Sequence, residues 1–119
     1  MLFENLKIRD VNLKNRVVVS PMCQYSAKNG YIQTHHKTHY GQLAMGGAGL
    51  IFLEATGVTA QGRITNGCLG IWDDKQIKGL KEITQSIKVL GSIPAIQLGH
   101  AGQKAVSYTH LRAHETSKH

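Results

Sequence analysis

Three short, mostly apolar runs constrain the fold of this chain more than any other feature. They occupy residues 17–19, 49–53 and 95–98 and show little polar alternation. Strands of this kind are typical of parallel sheets that are covered on both faces. Two segments with helical periodicity separate the runs. The order strand, helix, strand, helix, strand predicts an α/β fold with a parallel sheet.

The second helical segment carries the clearest local signals. Asp73 followed three residues later by Gln76 predicts a capping box at its start, and Gly91 predicts its end. Between them, apolar residues recur at helical spacing and form one stripe: Ile77, Leu80, Ile83, Ile87 and Leu90. This segment therefore predicts an amphipathic helix that packs on the sheet.

The first helical segment and the start of the chain are less strongly marked. Thr34 is the predicted N-cap of a helix that ends at residues 46–47, a Gly-Gly pair. Residues 6–17 predict a small hairpin, and Asn29-Gly30 lies in a loop. Two architectures fit this order, an open doubly wound sheet and a closed eight-stranded barrel. A barrel needs about 250 residues, so this chain of 119 residues would be a fragment of one.

The basic charge of the chain first suggests a nucleic-acid partner. The formal net charge is +7, from fourteen Lys and Arg against seven Asp and Glu. However, the basic residues are dispersed, and Lys75, Lys78 and Lys81 recur every third residue, as on the solvent face of a helix. We therefore expect no nucleic-acid partner. A phosphorylated cofactor also suits this charge.

Membrane, metal and disulfide functions are disfavoured as well. No apolar run approaches the roughly 20 residues of a membrane helix. His36 and His39 lack a further Glu or Cys at metal-binding spacing, so no metal site is expected. Cys23 and Cys68 lie outside any CxxC pattern. Two isolated cysteines fit a reducing compartment, which predicts a cytoplasmic protein.

The last fourteen residues, 106–119, have neither a strand nor a helix pattern. Back-translation of residues 106–116 gives a DNA string that resembles the transposase adapter used in sequencing libraries. We therefore interpret residues 106–119 as a non-native, adapter-derived tail and residues 1–105 as the native part. A disordered native tail is the alternative.

Candidate functional residues follow all three predicted strands, in residues 20–25, 54–56 and 97–102. The carboxyl ends of parallel strands meet at one face, where α/β barrels build their active sites. Gln97 offers a paired donor and acceptor that match an amide-like ring edge. Cys23 by itself is most often an inert buried thiol. His100 is either an acid/base group or a structural loop donor.

Several long motifs together resemble the Old Yellow Enzyme family. They are SPMCQYSAKNG, an HxxHYG helix, GLIFLEATGVTAQGRITNGCLGIWDD and IQLGHAGQKA, and they span residues 2–105. The SPMCQY stretch is similar to the bacterial subclass called thermophilic-like. The resemblance implies the N-terminal portion of an eight-stranded (β/α) TIM barrel, truncated after about the third strand, that binds FMN.

The resemblance also implies roles for individual residues. The positions implied to bind the flavin are Ser20, Pro21, Met22, Cys23, Ala55 and Gln97. Tyr25 is implied to face the substrate and bond its carbonyl oxygen. No catalytic residue is expected within the chain, because the family's carbonyl-binding His pair, proton-donating Tyr and phosphate-binding Arg lie beyond it. Gln103 replaces the usual Arg, and His35 replaces the usual aromatic residue.

The implied activity of the full-length protein is that of an FMN-dependent oxidoreductase. NADPH (or NADH) would reduce the flavin, which would pass a hydride to an activated alkene such as an enone. The implied partners are a small α,β-unsaturated carbonyl substrate and further copies of the chain in a homo-oligomer. The fragment itself is expected to be inactive. A dienoyl-CoA or amine dehydrogenase relative, or a non-enzymatic α/β module, remain alternatives.

Overall fold

A computed structural model describes residues 1–102 of the chain. The strands in chain order are β1 (Leu6–Ile8), β2 (Val11–Leu13), β3 (Val18–Val19), β4 (Leu50–Gly57), β5 (Leu69–Gly70) and β6 (Ile93–Gly99). The helices are α1 (Thr34–Met45) and α2 (Ile77–Val89), the latter preceded by a 3₁₀ turn at Asp74–Gln76. The predicted tail and its boundary at residue 105 lie outside the described residues.

The main sheet is parallel and is centred on β4. Along one edge β4 pairs with β6, from Leu50 opposite Ile93 to Gly57 opposite Gly99. Its other edge is shared by β3 at the amino end and by β5 at the carboxyl end. The predicted parallel α/β arrangement is confirmed, and the four strands form an open sheet within residues 1–102. The loops that follow β4 and β6 therefore leave the sheet at its carboxyl end, whereas the segment after β3 begins beside the first residues of β4.

The extents of two strands differ from the prediction. The run at residues 17–19 was expected to be a fully buried strand. Instead, β3 has only two residues and Val18 is 50% exposed. The reason is that β3 lies at an edge of the sheet and pairs with β4 alone. The second run was expected to stop at Glu54, but β4 continues to Gly57. The strand continues because Glu54 is buried against α1, where Tyr40 binds its backbone and its carboxyl group.

The amino-terminal hairpin and the bounds of α1 follow largely from local signals. β1 and β2 pair antiparallel, which confirms the predicted hairpin. The N-cap of α1 is Gln33 rather than Thr34, because Gln33 holds the extended conformation (φ −119°, ψ 172°) and Thr34 is already helical. The predicted stop is confirmed, with Gly47 in the left-handed region at φ +97°.

The second helix was predicted well. The Asp73 carboxylate accepts a hydrogen bond from the Lys75 N–H at 2.9 Å, and the Gln76 side chain accepts from the Asp73 N–H at 3.1 Å. Gly91 ends the helix at φ +96°. The middle of the apolar stripe is buried, whereas both of its ends, Ile77 and Leu90, are partly exposed.

The core lies between the two helices and β4. It contains Tyr40 and Ala44 of α1, Ile51 and Leu53 of β4, and the buried stripe of α2. The lysines of the α2 segment point to solvent, as their spacing predicted. No helix among residues 1–102 is long and apolar enough to cross a membrane.

Candidate functional site

A cleft of about 170 Å³ opens at the carboxyl end of the sheet. Its walls come from the ends of β4 and β6 and from the loop between β4 and β5. The residues around it are Ala55, Thr56, Gly57, Gly62, Arg63, Ile64, Cys68, Gln97, Gly99, His100 and Ala101. Two of the residues predicted to bind a cofactor, Ala55 and Gln97, therefore line one cleft.

Ala55 and Gln97 are direct partners across β4 and β6. The Gln97 side chain is exposed and makes no hydrogen bond to another of residues 1–102. Its amide donor and acceptor are therefore available to a ligand. The Ala55 side chain is only a methyl group, so it leaves space in the cleft beside the Gln97 amide.

Cys23 links the loop after β3 to this edge of the sheet. Burial raises the pKa of the Cys23 thiol, and the nearby Cys68 and Glu54 raise it further. Hydrogen bonds with the Ala55 backbone and with Tyr25 lower that pKa but do not cancel the rise. Cys23 is therefore a half-buried, protonated thiol next to the end of β4.

Tyr25 has an unusual backbone conformation for its residue type. Its φ is +53°, in the left-handed region, and its side chain is 56% exposed. Positive φ at a bulky residue persists only where neighbours enforce it. Gly67 does so here: the Ala27 N–H donates to the Gly67 carbonyl at 2.9 Å, and a Cβ on Gly67 would lie 2.6 Å from the Tyr25 carbonyl oxygen. Glycine at position 67 thus permits the turn that presents Tyr25.

The other three predicted cofactor-binding residues follow β3 but do not line the cleft. Ser20 and Met22 are exposed, and Pro21 is half-buried. Cys23, Gln24 and Tyr25 connect this segment with the end of β4. The assignment of Ser20, Pro21 and Met22 to cofactor binding stays a prediction.

Arg63 lines the cleft and was not singled out from the sequence. Its guanidinium carbon lies 5.2 Å from the centre of the Trp72 ring, and its Nε donates to the Ala60 carbonyl at 2.8 Å. Burial lowers the pKa of Arg63. His100 also lines the cleft, and a Cβ on Gly62, the residue before Arg63, would lie 2.8 Å from its ring. The only sequence signal for Arg63 was its position between two glycine-containing turns.

A buried polar cluster lies behind the end of β4. The Tyr40 hydroxyl donates to Glu54 Oε2 at 2.8 Å and accepts from the Glu54 N–H at 2.9 Å. His36 Nε2 lies 3.8 Å from Glu54 Oε1, and neither atom has another partner among the described residues. Burial raises the pKa of Glu54 and of Tyr40 and lowers that of His36. A polar residue inside the apolar run of β4 was the sequence signal for this cluster.

The histidines of α1 show no arrangement typical of a metal site. His35 Nε2 lies 2.9 Å from Gln24 Oε1, and His39 stacks on His35 with ring centres 5.8 Å apart. Among residues 1–102, no three His, Cys, Asp or Glu side chains cluster as a metal site would require.

Comparisons with known proteins identify the family. The chain matches the model of the NADH:flavin oxidoreductase / NADH oxidase family over residues 1–118. The chain belongs to this family. It is 55% identical over 106 residues to the NADPH dehydrogenase of Bacillus licheniformis, a match that covers 87% of this chain and 31% of that protein.

Solved structures of the family agree on the fold. Old Yellow Enzyme from Pichia sp. AKU4542 is 28% identical and superposes with a TM-score of 0.85, covering 96% of this chain and 30% of that chain. Morphinone reductase is 32% identical with a TM-score of 0.80, covering 87% of this chain and 27% of that chain. The chain thus spans about a third of the length of its relatives. The expected Old Yellow Enzyme resemblance and the N-terminal portion of a TIM barrel are confirmed.

Proposed function

We propose that the full-length protein carrying this segment is an FMN-dependent NADPH dehydrogenase of the ene-reductase type. It would use NADPH (or NADH) to reduce activated alkenes such as enones. The observation that carries the proposal is the pairing of Ala55 with Gln97 at the cleft, with the Cys23 thiol beside the same strand end. The family membership of residues 1–118 supports it.

The residues present fit a flavin. The pyrimidine edge of a flavin ring presents carbonyl acceptors and an N–H donor, and the Gln97 amide, which has no partner among residues 1–102, offers the complementary set. The cleft beside Gln97 has room for a planar ring, because Ala55 and the glycines at the ends of β4 and β6 carry little or no side chain. When bound, FMN would accept a hydride from the nicotinamide and deliver one to the alkene.

Each neighbouring side chain has a defined role in this proposal. Gln97 orients the ring by two hydrogen bonds at its edge. The protonated Cys23 thiol supplies a weak, polarizable contact without adding a negative charge. Tyr25 is exposed on its turn, and its hydroxyl donates a hydrogen bond to the substrate carbonyl oxygen, where negative charge develops as the alkene is reduced. Ser20, Pro21 and Met22 complete the flavin contacts.

We further propose that residues 1–105 form the first part of the barrel and that residues 106–119 are not native. The resemblance of the back-translated residues 106–116 to an adapter sequence supports this boundary, although the family match extends to residue 118. Genomic DNA read through codon 105 tests it. A genomic sequence identical to that of residues 106–119 would refute the boundary. A cytoplasmic homo-oligomer is proposed for the full-length protein.

Absorption spectroscopy of the purified full-length protein tests the cofactor. We expect a yellow protein that oxidises NADPH and saturates the double bond of a simple enone such as 2-cyclohexenone. A protein that stays colourless after incubation with FMN would refute the flavin proposal. A yellow protein that oxidises NADPH with oxygen but leaves every enone intact would refute the alkene substrate alone.

A further inference from the structure

A β-bulge lies at Glu54, at the point where β4 reaches the cleft. Leu53 pairs with Ile96 and Ala55 pairs with Gln97, so Glu54 is left without a partner on β6. Its N–H donates instead to the Tyr40 hydroxyl of α1 at 2.9 Å. A bulge of this kind adds one residue to a strand and changes the direction of the side chains that follow.

The bulge decides which residue faces the cleft. In a regular strand, residues of equal parity share a face, so Ala55 would follow Ile51 and Leu53 into the core. The extra residue interrupts this alternation. Leu53 lies in the core, Glu54 also points inward to Tyr40 of α1, and Ala55 lines the cleft opposite Gln97. Without the bulge, position 97 would pair with Glu54, and a one-residue shift of this kind exchanges the two faces.

Two side chains of α1 lie against the bulge, and one of them, Tyr40, is hydrogen-bonded to it. Tyr40 binds both the N–H and the carboxyl group of Glu54, at 2.9 and 2.8 Å. His36, one helical turn earlier, accepts a hydrogen bond at Nδ1 from the Gln33 N–H at 2.9 Å, so its proton lies on Nε2. This N–H lies 3.8 Å from Glu54 Oε1, too far for a hydrogen bond, and neither atom has a hydrogen-bond partner among residues 1–102. All three side chains are at most 2% exposed.

We infer that Tyr40 is a positioning residue for the cleft. By holding Glu54 in the bulge, it keeps Ala55 opposite Gln97 and so shapes the surface on which the ligand lies. The Tyr40 side chain does not line the cleft and acts through Glu54. This inference rests on the proposed function for its ligand, but the bulge itself is a feature of the protein alone.

Tyr40→Phe in the full-length protein tests the inference, because it removes one hydroxyl and keeps the ring. We expect FMN to bind at least about tenfold more weakly, since the Glu54 N–H and carboxyl group lose their partner. We also expect the visible circular dichroism of the bound flavin to change. Ile87→Val in α2 is the control, because it loosens the same core without removing a partner of Glu54. Denaturant titration of both apoproteins measures how much each change destabilises the fold.

The outcomes separate a positioning role from a purely structural one. The inference is supported if Tyr40→Phe binds FMN more weakly and changes the flavin spectrum. Ile87→Val should then bind FMN normally, although it destabilises the fold by a similar amount. Equal FMN dissociation constants and identical spectra for the two variants would overturn it.

Hydrogen exchange of the Glu54 amide tests the role of Tyr40 at the bulge without any cofactor. In Tyr40→Phe the Glu54 amide should exchange faster relative to the other amides of β4, because its acceptor is gone. Unchanged exchange at Glu54 would overturn the inference. A wild-type protein that binds no FMN would instead refute the proposed function, and the exchange result would still decide the role of Tyr40.

Discussion

Ala55 of β4 and Gln97 of β6 are partners in the parallel sheet, and both line the cleft at its carboxyl end. The pair combines a small side chain with an amide that has no hydrogen-bond partner among residues 1–102, on adjacent strands. One residue leaves space and the other offers hydrogen bonds, which is the combination that a planar heterocyclic ligand needs. The effects of substitutions at the cleft should therefore depend on which of these two properties is lost.

Gln97→Leu should weaken FMN binding more than Cys23→Ala does. The first change removes both hydrogen bonds to a buried ring edge, and each unpaired group costs about 1–3 kcal/mol. We expect about a 10- to 100-fold rise in the dissociation constant. Cys23 makes only a weak polar contact, so its loss should alter the rate of flavin reduction more than the affinity. Fluorescence titration with FMN measures both constants, and equal values would contradict this ranking.

Gly67→Ala should disturb the Tyr25 turn. The new Cβ would lie 2.6 Å from the Tyr25 carbonyl oxygen, so the turn must move. We expect a higher KM for the enone with little change in FMN affinity, because Tyr25 is the proposed carbonyl donor. Gly41→Ala is the control: a Cβ there meets nothing within 4 Å, and the exchange should stabilise α1 by about 1 kcal/mol. An unchanged KM in Gly67→Ala would show that Tyr25 does not bind the substrate.

The elements that could be predicted from the sequence are those set by local chemistry. Asp73 and Gln76 form the expected capping box, which caps the 3₁₀ turn leading into α2, and Gly91 ends α2 as expected. The parallel order of the strands followed from their apolar character. The strand ends then brought Ala55 and Gln97 together, because parallel strands share one carboxyl edge.

The features that could not be predicted depend on distant partners. Glu54 looked like the end of a strand because a carboxyl group is costly to bury. It is buried, at 1% exposure, only because Tyr40 lies fourteen residues away in sequence and supplies both a donor and an acceptor. The two-residue strand β5 was missed for a similar reason, since Leu69 and Gly70 form a strand only by pairing with β4.

Cys23 should react slowly with alkylating reagents at neutral pH. Burial raises the pKa of its thiol above the ordinary value of 9.0, so the thiolate forms only at higher pH. The linked stability is fully present below pH 9.0 and falls as the pH rises through the raised pKa, because the unfolded chain releases this proton first. Iodoacetamide labelling followed by mass spectrometry at Cys23 measures the effect. Rapid labelling below pH 8 would contradict it.

The 119-residue chain expressed alone should not form a stable, active monomer. The described sheet has open edges at β3 and β6, where Val18 is 50% and Leu98 is 58% exposed. Exposed apolar edge strands pair with other chains and lead to aggregation. Whole domains have net stabilities of only about 5–15 kcal/mol. A sheet that lacks the strands pairing with its edges is therefore not expected to fold stably. Circular dichroism with a denaturant titration, alongside an assay with NADPH and an enone, tests this. A cooperative transition from a soluble monomer that also turns over the enone would show that the chain is self-contained.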